Sequence, residues 1–385
     1  MLTLIKGGNI FAPEKIGICD ILVAGEKIVG MGPEIDPPAG VGVDLVNAAG
    51  ATIVPGFVDL HVHLLGGGGE DGFGSRTPEI TLSQINRAGV TTVVGCLGTD
   101  NISRTPEALL AKALQLEADG ISSYIYTGSY HLPAVTITGS VKKDISLIPK
   151  VVGVGEIAVS DHRSSQPTFE DLRRVAAEAR VGGLIGGKAG LVHLHMGDGP
   201  KGLEPVFRLV RESDIPISQF LPTHVTRKKG LFEQTLEFAR MGGYLDITAG
   251  GDELEFSIST GDALKQIIDA GVGLDKVSIS SDSNGSMPIF DEDGKVARLA
   301  VGDIRQLFLD WRNLNQSGLS LADTLVLVTA NPARRTGLFH RKGSLAVGKD
   351  ADLLILSPDL DIDSVMARGC FMIQNGRQIV KGTFE

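Results

Sequence analysis

The sequence predicts an α/β protein: a parallel (β/α)8 barrel, or TIM barrel, with a small β-sandwich domain built from both chain ends. Three observations predict it. Residues 51–340 alternate eight apolar, strand-like runs with helical patterns, the signature of a parallel barrel. Residues 1–50 and 341–385 carry short apolar pieces separated by turns instead. Side chains suited to a divalent metal fall where the barrel strands end, the face on which the loops of such a barrel converge.

At the start, residues 2–5, 20–23 and 27–29 read as small antiparallel strands. The apolar run Ile53, Val54, Phe57 and Val58 then reads as one buried strand leading to His63. Further candidate strands end at Gly95, Gly128, Ser160 and Met196, and near His224, Ile247 and Asp282. Helical patterns over 78–88, 106–118, 168–181, 203–212, 231–241 and 260–270 lie between them. The tail returns to strand-like pieces at 351–356, 365–367, 371–373 and 379–380. A doubly wound open sheet is the alternative, and no Gly-x-Gly-x-x-Gly follows a first strand to support it.

Composition removes several classes of function. The 385 residues are 42% hydrophobic and 21% charged, as in an ordinary globular protein with a sizeable core. Net charge is −10 and no basic run exists, which argues against a nucleic-acid partner. No stretch of ~18 apolar residues occurs, and the first ten residues lack a signal-peptide hydrophobic region, so neither membrane spanning nor secretion is expected. Cys19, Cys96 and Cys370 are scattered with no Cys-x-x-Cys, the pattern of reduced thiols in a cytoplasmic protein.

The stretch from Pro55 to His63 carries the chemistry. Strand alternation sends His61 and His63 to one side while Val62 points away. Two imidazoles about 6–7 Å apart along one face can share a cation. A pair of surface or core histidines is the bland reading. The loop Gly66-Gly67-Gly68-Gly69-Glu70, which needs backbone freedom near something bound, favours metal. Glu156, His195, His224 and Asp282 sit in or at the ends of later strands, and all six side chains would converge on one mouth.

Together with Gly98-Thr99-Asp100, Gly128-Ser129-Tyr130-His131, Ser160-Asp161-His162-Arg163, His195-Met196-Gly197-Asp198, residues 222–227 and residues 281–286, these motifs resemble the isoaspartyl (β-aspartyl) dipeptidases of the amidohydrolase superfamily. The tail at 343–356 and 369–382 is similar too, so the resemblance spans essentially the whole chain. It implies two zinc ions per chain, with His61, His63 and Asp282 holding one, His195 and His224 the other, and a metal-bridging hydroxide as nucleophile. Asp282 would shuttle the proton to the leaving amine, and Tyr130 would polarise the scissile carbonyl. The substrate would be a β-aspartyl dipeptide, its carboxylates met by Arg163 and Arg227, its ammonium by Glu70, and its aspartyl end by Gly68, Thr99 and Ser286. A homo-oligomer, an octamer by resemblance, is also implied.

One position departs from the pattern. The best-known members bridge their metals with a carboxylated lysine on the fourth barrel strand, and here that position is Glu156. Glutamate offers the same two-oxygen anion on a shorter arm, so a single metal is the alternative loading. Related deacetylases use glutamate at the equivalent place. Another amidohydrolase, such as an N-acyl amino acid or amino-sugar deacetylase or a cyclic amidase, is therefore the competing reading. A barrel without activity, kept for assembly, is a third, and it conflicts with a competent side chain at every ligand position. His131, His162, His193 and His340 read as structural, His193 as a satisfied core histidine, with a supporting place behind the metal ligands as its alternative because it alternates with Leu194 and His195. The acidic run 291–294 reads as a solvated turn.

Overall fold

The computed structural model describes residues 2–250, 257–290 and 296–385. Three antiparallel strands open the chain, β1 (Leu2–Phe11), β2 (Lys15–Ala24) and β3 (Lys27–Gly32). β4 (Val43–Asn47) and β5 (Thr52–Pro55) then run parallel to successive halves of β1. The next strand, β6 (Phe57–Val62), belongs to a different sheet. The apolar run expected to be one strand is thus divided at Gly56. A Cβ there would lie 2.3 Å from the Thr91 hydroxyl oxygen, so only glycine lets the chain pass between the two sheets.

From β6 onward, β7 (Val90–Gly95), β8 (Ser122–Thr127), β9 (Val151–Val159), β10 (Leu191–Met196) and β11 (Phe220–Thr223) join in sequence order as a six-stranded parallel sheet. β12 (Leu245–Thr248) and β13 (Val277–Ser280) form a parallel pair. The ring closes between its first and last strands. Val62 and Ser283 make a parallel bridge, and the His63 amide donates to the Ser283 carbonyl at 2.9 Å. Asp59 Oδ1 accepts from the amides of both His61 and Ser281 at 3.2 Å. The strands of the six-stranded sheet are buried throughout, which is why they read as unbroken apolar runs rather than alternations.

The connections are helices α1 (Leu82–Arg87), α2 (Pro106–Ala118), α3 (Val141–Leu147), α4 (Phe169–Gly186), α5 (Glu204–Glu212), α6 (Lys229–Arg240) and α7 (Thr260–Asp269). α1 starts at Leu82 rather than at 78 because Thr81 and Gln84 form a capping box. α4 continues to Gly186, beyond the expected stop at 181. Gly182, Gly183 and Gly186 do not break it, and a Cβ on Gly182 would lie 2.9 Å from the Lys142 carbonyl oxygen of α3. Close helix packing explains that glycine. The hairpin β14 (Ser286–Phe290) and β15 (Val296–Val301) follows, and the acidic run at 291–294 lies outside the described residues. Sequence patterning did not anticipate α3, nor α8 (Arg305–Gln316), α9 (Leu321–Val328) and α10 (Ala330–Arg335). α8 sets Trp311 edge-on against Phe57 at 5.2 Å between ring centroids.

The tail supplies β16 (Leu353–Leu356), β17 (Ile362–Ala367), β18 (Cys370–Gln374) and β19 (Arg377–Gln378). β16 pairs antiparallel with β5, Leu353 opposite Pro55 through Leu356 opposite Thr52. Strands from both chain ends therefore share one nine-stranded sheet, with Ile5, Ile10, Ile21, Ile53, Leu353 and Met366 buried together. No helix among the described residues is long and apolar enough to cross a membrane.

Candidate metal centre

β6 places His61 on the strand and His63 just after it, with ring centroids 5.5 Å apart and both Nε2 atoms facing the barrel mouth. Glu156 projects from β9 and is fully buried. Its two carboxylate oxygens face different partners. Oε2 lies 2.9 Å from His61 Nε2 and 3.5 Å from His63 Nε2. Oε1 lies 2.5 Å from His195 Nδ1 and 3.2 Å from His224 Nε2. Asp282 Oδ1 closes the first side at 3.3 Å from His61 and 3.1 Å from His63. Every metal-ligating candidate from the sequence is therefore in one cluster, divided into two halves by one carboxylate.

Local backbone aims these groups. His224 and Asp282 follow their strands with φ of 57° and 49°, a left-handed conformation uncommon outside glycine. Such strain is concentrated at functional sites, and here it turns both side chains inward. Glycines make room for them. A Cβ on Gly285 would lie 2.5 Å from Asp282 Oδ1, and one on Gly98 would lie 3.0 Å from His63 Cε1. The Thr248 hydroxyl sits 2.8 Å from His224 Nδ1 and orients that ring.

The cluster fits a cation. Donor atoms of His61, His224 and Asp282, and those of Glu156, His195 and His224, lie within 4.8 Å of one another and are buried. Neutral imidazoles with carboxylates suit zinc, and ligand atoms on one tetrahedral zinc stand ~3.3 Å apart, close to the spacings seen. Burial alone would raise the Glu156 carboxyl, but His61 and His195 hold it well below the usual range. Burial likewise opposes ionisation of Asp282, and His61, His63 and His224 overcome it.

Around this centre lie the residues expected to meet substrate. The Tyr130 hydroxyl is 2.8 Å from His195 Nδ1. Burial, then the Glu156 charge, pushes its pKa well above the ordinary value, so it stays a hydrogen-bond donor. Glu70 accepts from the hydroxyls of Thr99 at 3.2 Å and Ser286 at 2.9 Å, and Arg163 Nη1 is 3.4 Å from it. Arg227 Nη1 donates to the Met196 carbonyl at 3.3 Å. Gly68 has a backbone reason for its identity: φ is 83°, and a Cβ would lie 2.3 Å from the Ser75 carbonyl oxygen.

Two residues at the centre escaped the sequence reading. Asp161, nearly buried, accepts from Arg163 Nη2 at 2.9 Å and faces His195 Nε2 at 3.1 Å, tying a substrate-side arginine to a candidate ligand. Its place two residues before Arg163 was the available signal. Cys96, one residue past β7, lies among His61, His63 and Glu156. Its position directly after a barrel strand was the signal there. Of the histidines set aside, His131 Nε2 is 2.9 Å from the Arg163 carbonyl, and His340 Nδ1 is 3.1 Å from that of Gly337. His193 differs from expectation. It is buried, but neither ring nitrogen has a hydrogen-bond partner among the described residues; it stacks on Tyr126 at 5.0 Å and meets His61 edge-on at 4.7 Å. Ring packing, rather than hydrogen bonding, holds it.

Residues 52–372 match the model of the Amidohydrolase family. The chain belongs to the amidohydrolase family. This amidohydrolase is 45% identical to the beta-aspartyl dipeptidase of Fervidobacterium islandicum AW-1 in complex with beta-Asp-Leu dipeptide, at a TM-score of 0.92 with 98% of each chain covered. A second structure of a beta-aspartyl dipeptidase from that organism gives 44% identity and a TM-score of 0.90, again with 98% of each chain covered. A dihydroorotase of Geobacter sulfurreducens is 31% identical over 193 residues, which span 48% of this amidohydrolase and only 41% of that relative.

Proposed function

We propose that this amidohydrolase is a zinc-dependent isoaspartyl dipeptidase that hydrolyses the isopeptide bond of β-aspartyl dipeptides. The observation that carries the proposal is the Glu156 carboxylate, with one oxygen toward His61 and His63 and the other toward His195 and His224. That arrangement supports two metals per chain, held by His61, His63 and Asp282 on one side and by His195 and His224 on the other, with Glu156 between. Bound there, zinc would supply Lewis acidity, easing ionisation of water and polarising the amide carbonyl.

The protein's own groups carry the remaining steps. Asp282 takes the proton of the attacking water as its oxygen bonds to the carbonyl carbon, and delivers that proton to the amine nitrogen as the C–N bond breaks. Tyr130, kept protonated by burial, donates to the carbonyl oxygen as negative charge grows on it. Arg163 and Arg227 meet the substrate's two carboxylates, and Glu70, held by Thr99 and Ser286, meets its ammonium. Substrate entry would exchange the Glu70–Arg163 contact for pairs with the ligand. The similarity to a protein seen with beta-Asp-Leu supports this substrate class. A cytoplasmic homo-oligomer, an octamer by resemblance, completes the reading, and the unpaired Cys19, Cys96 and Cys370 suit a reducing compartment.

The test is metal analysis of purified protein, then turnover of β-Asp-Leu against α-Asp-Leu, an N-acetyl amino acid and a cyclic amide. Turnover confined to β-Asp-Leu is the expected result. A preference for the acetylated or cyclic compound would move the protein to another branch of the family.

A further inference from the structure

We propose that Cys96 is a metal ligand, its thiolate joining His61, His63 and Glu156 in holding the cation on that side of the centre. Cys96 follows β7 directly and is fully buried, and its Sγ lies 3.8 Å from both His63 Nε2 and Glu156 Oε2. Ligand atoms of all four side chains stand within 4.8 Å of one another. With zinc–sulfur and zinc–nitrogen bonds of about 2.3 and 2.0–2.1 Å, sulfur and nitrogen on one tetrahedral zinc stand ~3.6 Å apart, and the Cys96 spacing is close to that. The alternative is a small core residue, because Sγ is also 3.7 Å from the Val62 carbonyl and Cys96 packs with Leu60 and Val94. Packing alone does not require the sulfur to be where two other donor atoms converge.

A second observation points the same way. Glu156 must serve both halves of the centre on an arm shorter than a carboxylated lysine, and Glu156 and Asp282 together bring two negative charges. A thiolate from the neighbouring strand adds a third anion and a second anchor on the Glu156 Oε2 side. Binding would release the thiol proton to solvent. It would also bias the site towards zinc, cobalt or cadmium and away from magnesium or manganese, because thiolate is a soft ligand.

The proposal rests on the metal centre alone and not on the identity of the substrate. Full-length protein is stripped with a chelator, reloaded with Co2+, and examined by near-ultraviolet absorption and cobalt analysis. Wild-type protein should show a thiolate-to-cobalt charge-transfer band, kept in Cys370→Ser and lost in Cys96→Ser and Cys96→Ala. Circular dichroism identifies any variant that fails to fold, and the wild-type spectrum decides without it. Bound cobalt with no such band, or a band that persists in Cys96→Ser, would overturn the assignment while leaving the metal centre intact. Wild-type protein that takes up no cobalt would overturn both.

Discussion

The proposed mechanism gives Asp282 two duties that a neutral amide cannot share: it faces both candidate imidazoles of the first half-site and would accept a proton. Asparagine keeps the size and one ligand oxygen. Asp282→Asn should therefore retain the fold and most of the metal yet lose turnover by ~10²–10⁴, the usual weight of a general base. Metal stoichiometry and substrate affinity measured beside kcat check this, and near-normal turnover would assign the proton transfer to another residue. Arg227 tests recognition. Its side chain is partly exposed at the mouth, where Nη1 meets the Met196 carbonyl and the His195 ring edge, each at 3.3 Å, and stands 4.0 Å from Asp161 Oδ2. It is positioned to spend its charge on a ligand. Arg227→Met should lower kcat/KM for β-Asp-Leu by orders of magnitude at unchanged metal content, since an unmatched buried carboxylate costs ~2–5 kcal/mol. Ordinary activity in that variant would remove Arg227 from the substrate site.

At the scale of elements, β9 decides how the two halves of the centre communicate, because it carries the carboxylate that touches four imidazoles. A glutamate is complete when translated, whereas a lysine must first react with CO2. Metal loading of apo-protein should therefore be equally fast and complete with and without added bicarbonate. Reconstitution that depends on bicarbonate would contradict Glu156 as the bridge. The elements around β9 are prepared in the same spirit. β11 and β13 are each followed by a left-handed residue that swings a side chain into the mouth, and Asp246 on β12 accepts hydrogen bonds from the hydroxyls of Thr223, Ser278 and Ser280 on the strands either side. Those hydrogen bonds lock three consecutive strand ends beneath the ligands.

For the molecule as a whole, the joint between the two chain ends rests on a buried charge network. Asp350 accepts from Lys27 of β3 at 2.6 Å and pairs with Arg341 and Lys342, each at 2.8 Å, while buried Lys342 also reaches Asp352 at 2.5 Å. Burial would raise the Asp350 carboxyl, but Lys342 and Lys27 draw it below its ordinary value of 3.8. The unfolded chain then binds that proton more readily, so the contribution is complete above pH ~4 and fades as acid titrates the folded carboxyl. Asp350→Asn should cost ~3 kcal/mol at neutral pH by leaving Lys342 short of charge, and its stability should converge on wild type in acid. Urea titrations across that pH range read both effects. Much of this architecture was legible in the chain. Barrel strands buried on both faces appear as apolar runs, and side chains able to hold a metal fall in or at the ends of those strands, so His61, His63, Glu156, His195, His224 and Asp282 could be named as candidates from position and residue type. Helices α8 to α10 were not legible, because their faces are defined by what they cover. The division at Gly56 was hidden for a similar reason, since the strands on either side are equally apolar and only the sheets they join tell them apart. Cys96 and Asp161 needed the fold itself. Their local signals, a place just past a strand and a place two residues before Arg163, do not single them out, and what their side chains meet is set by distances to residues on other strands that the folded barrel brings within reach.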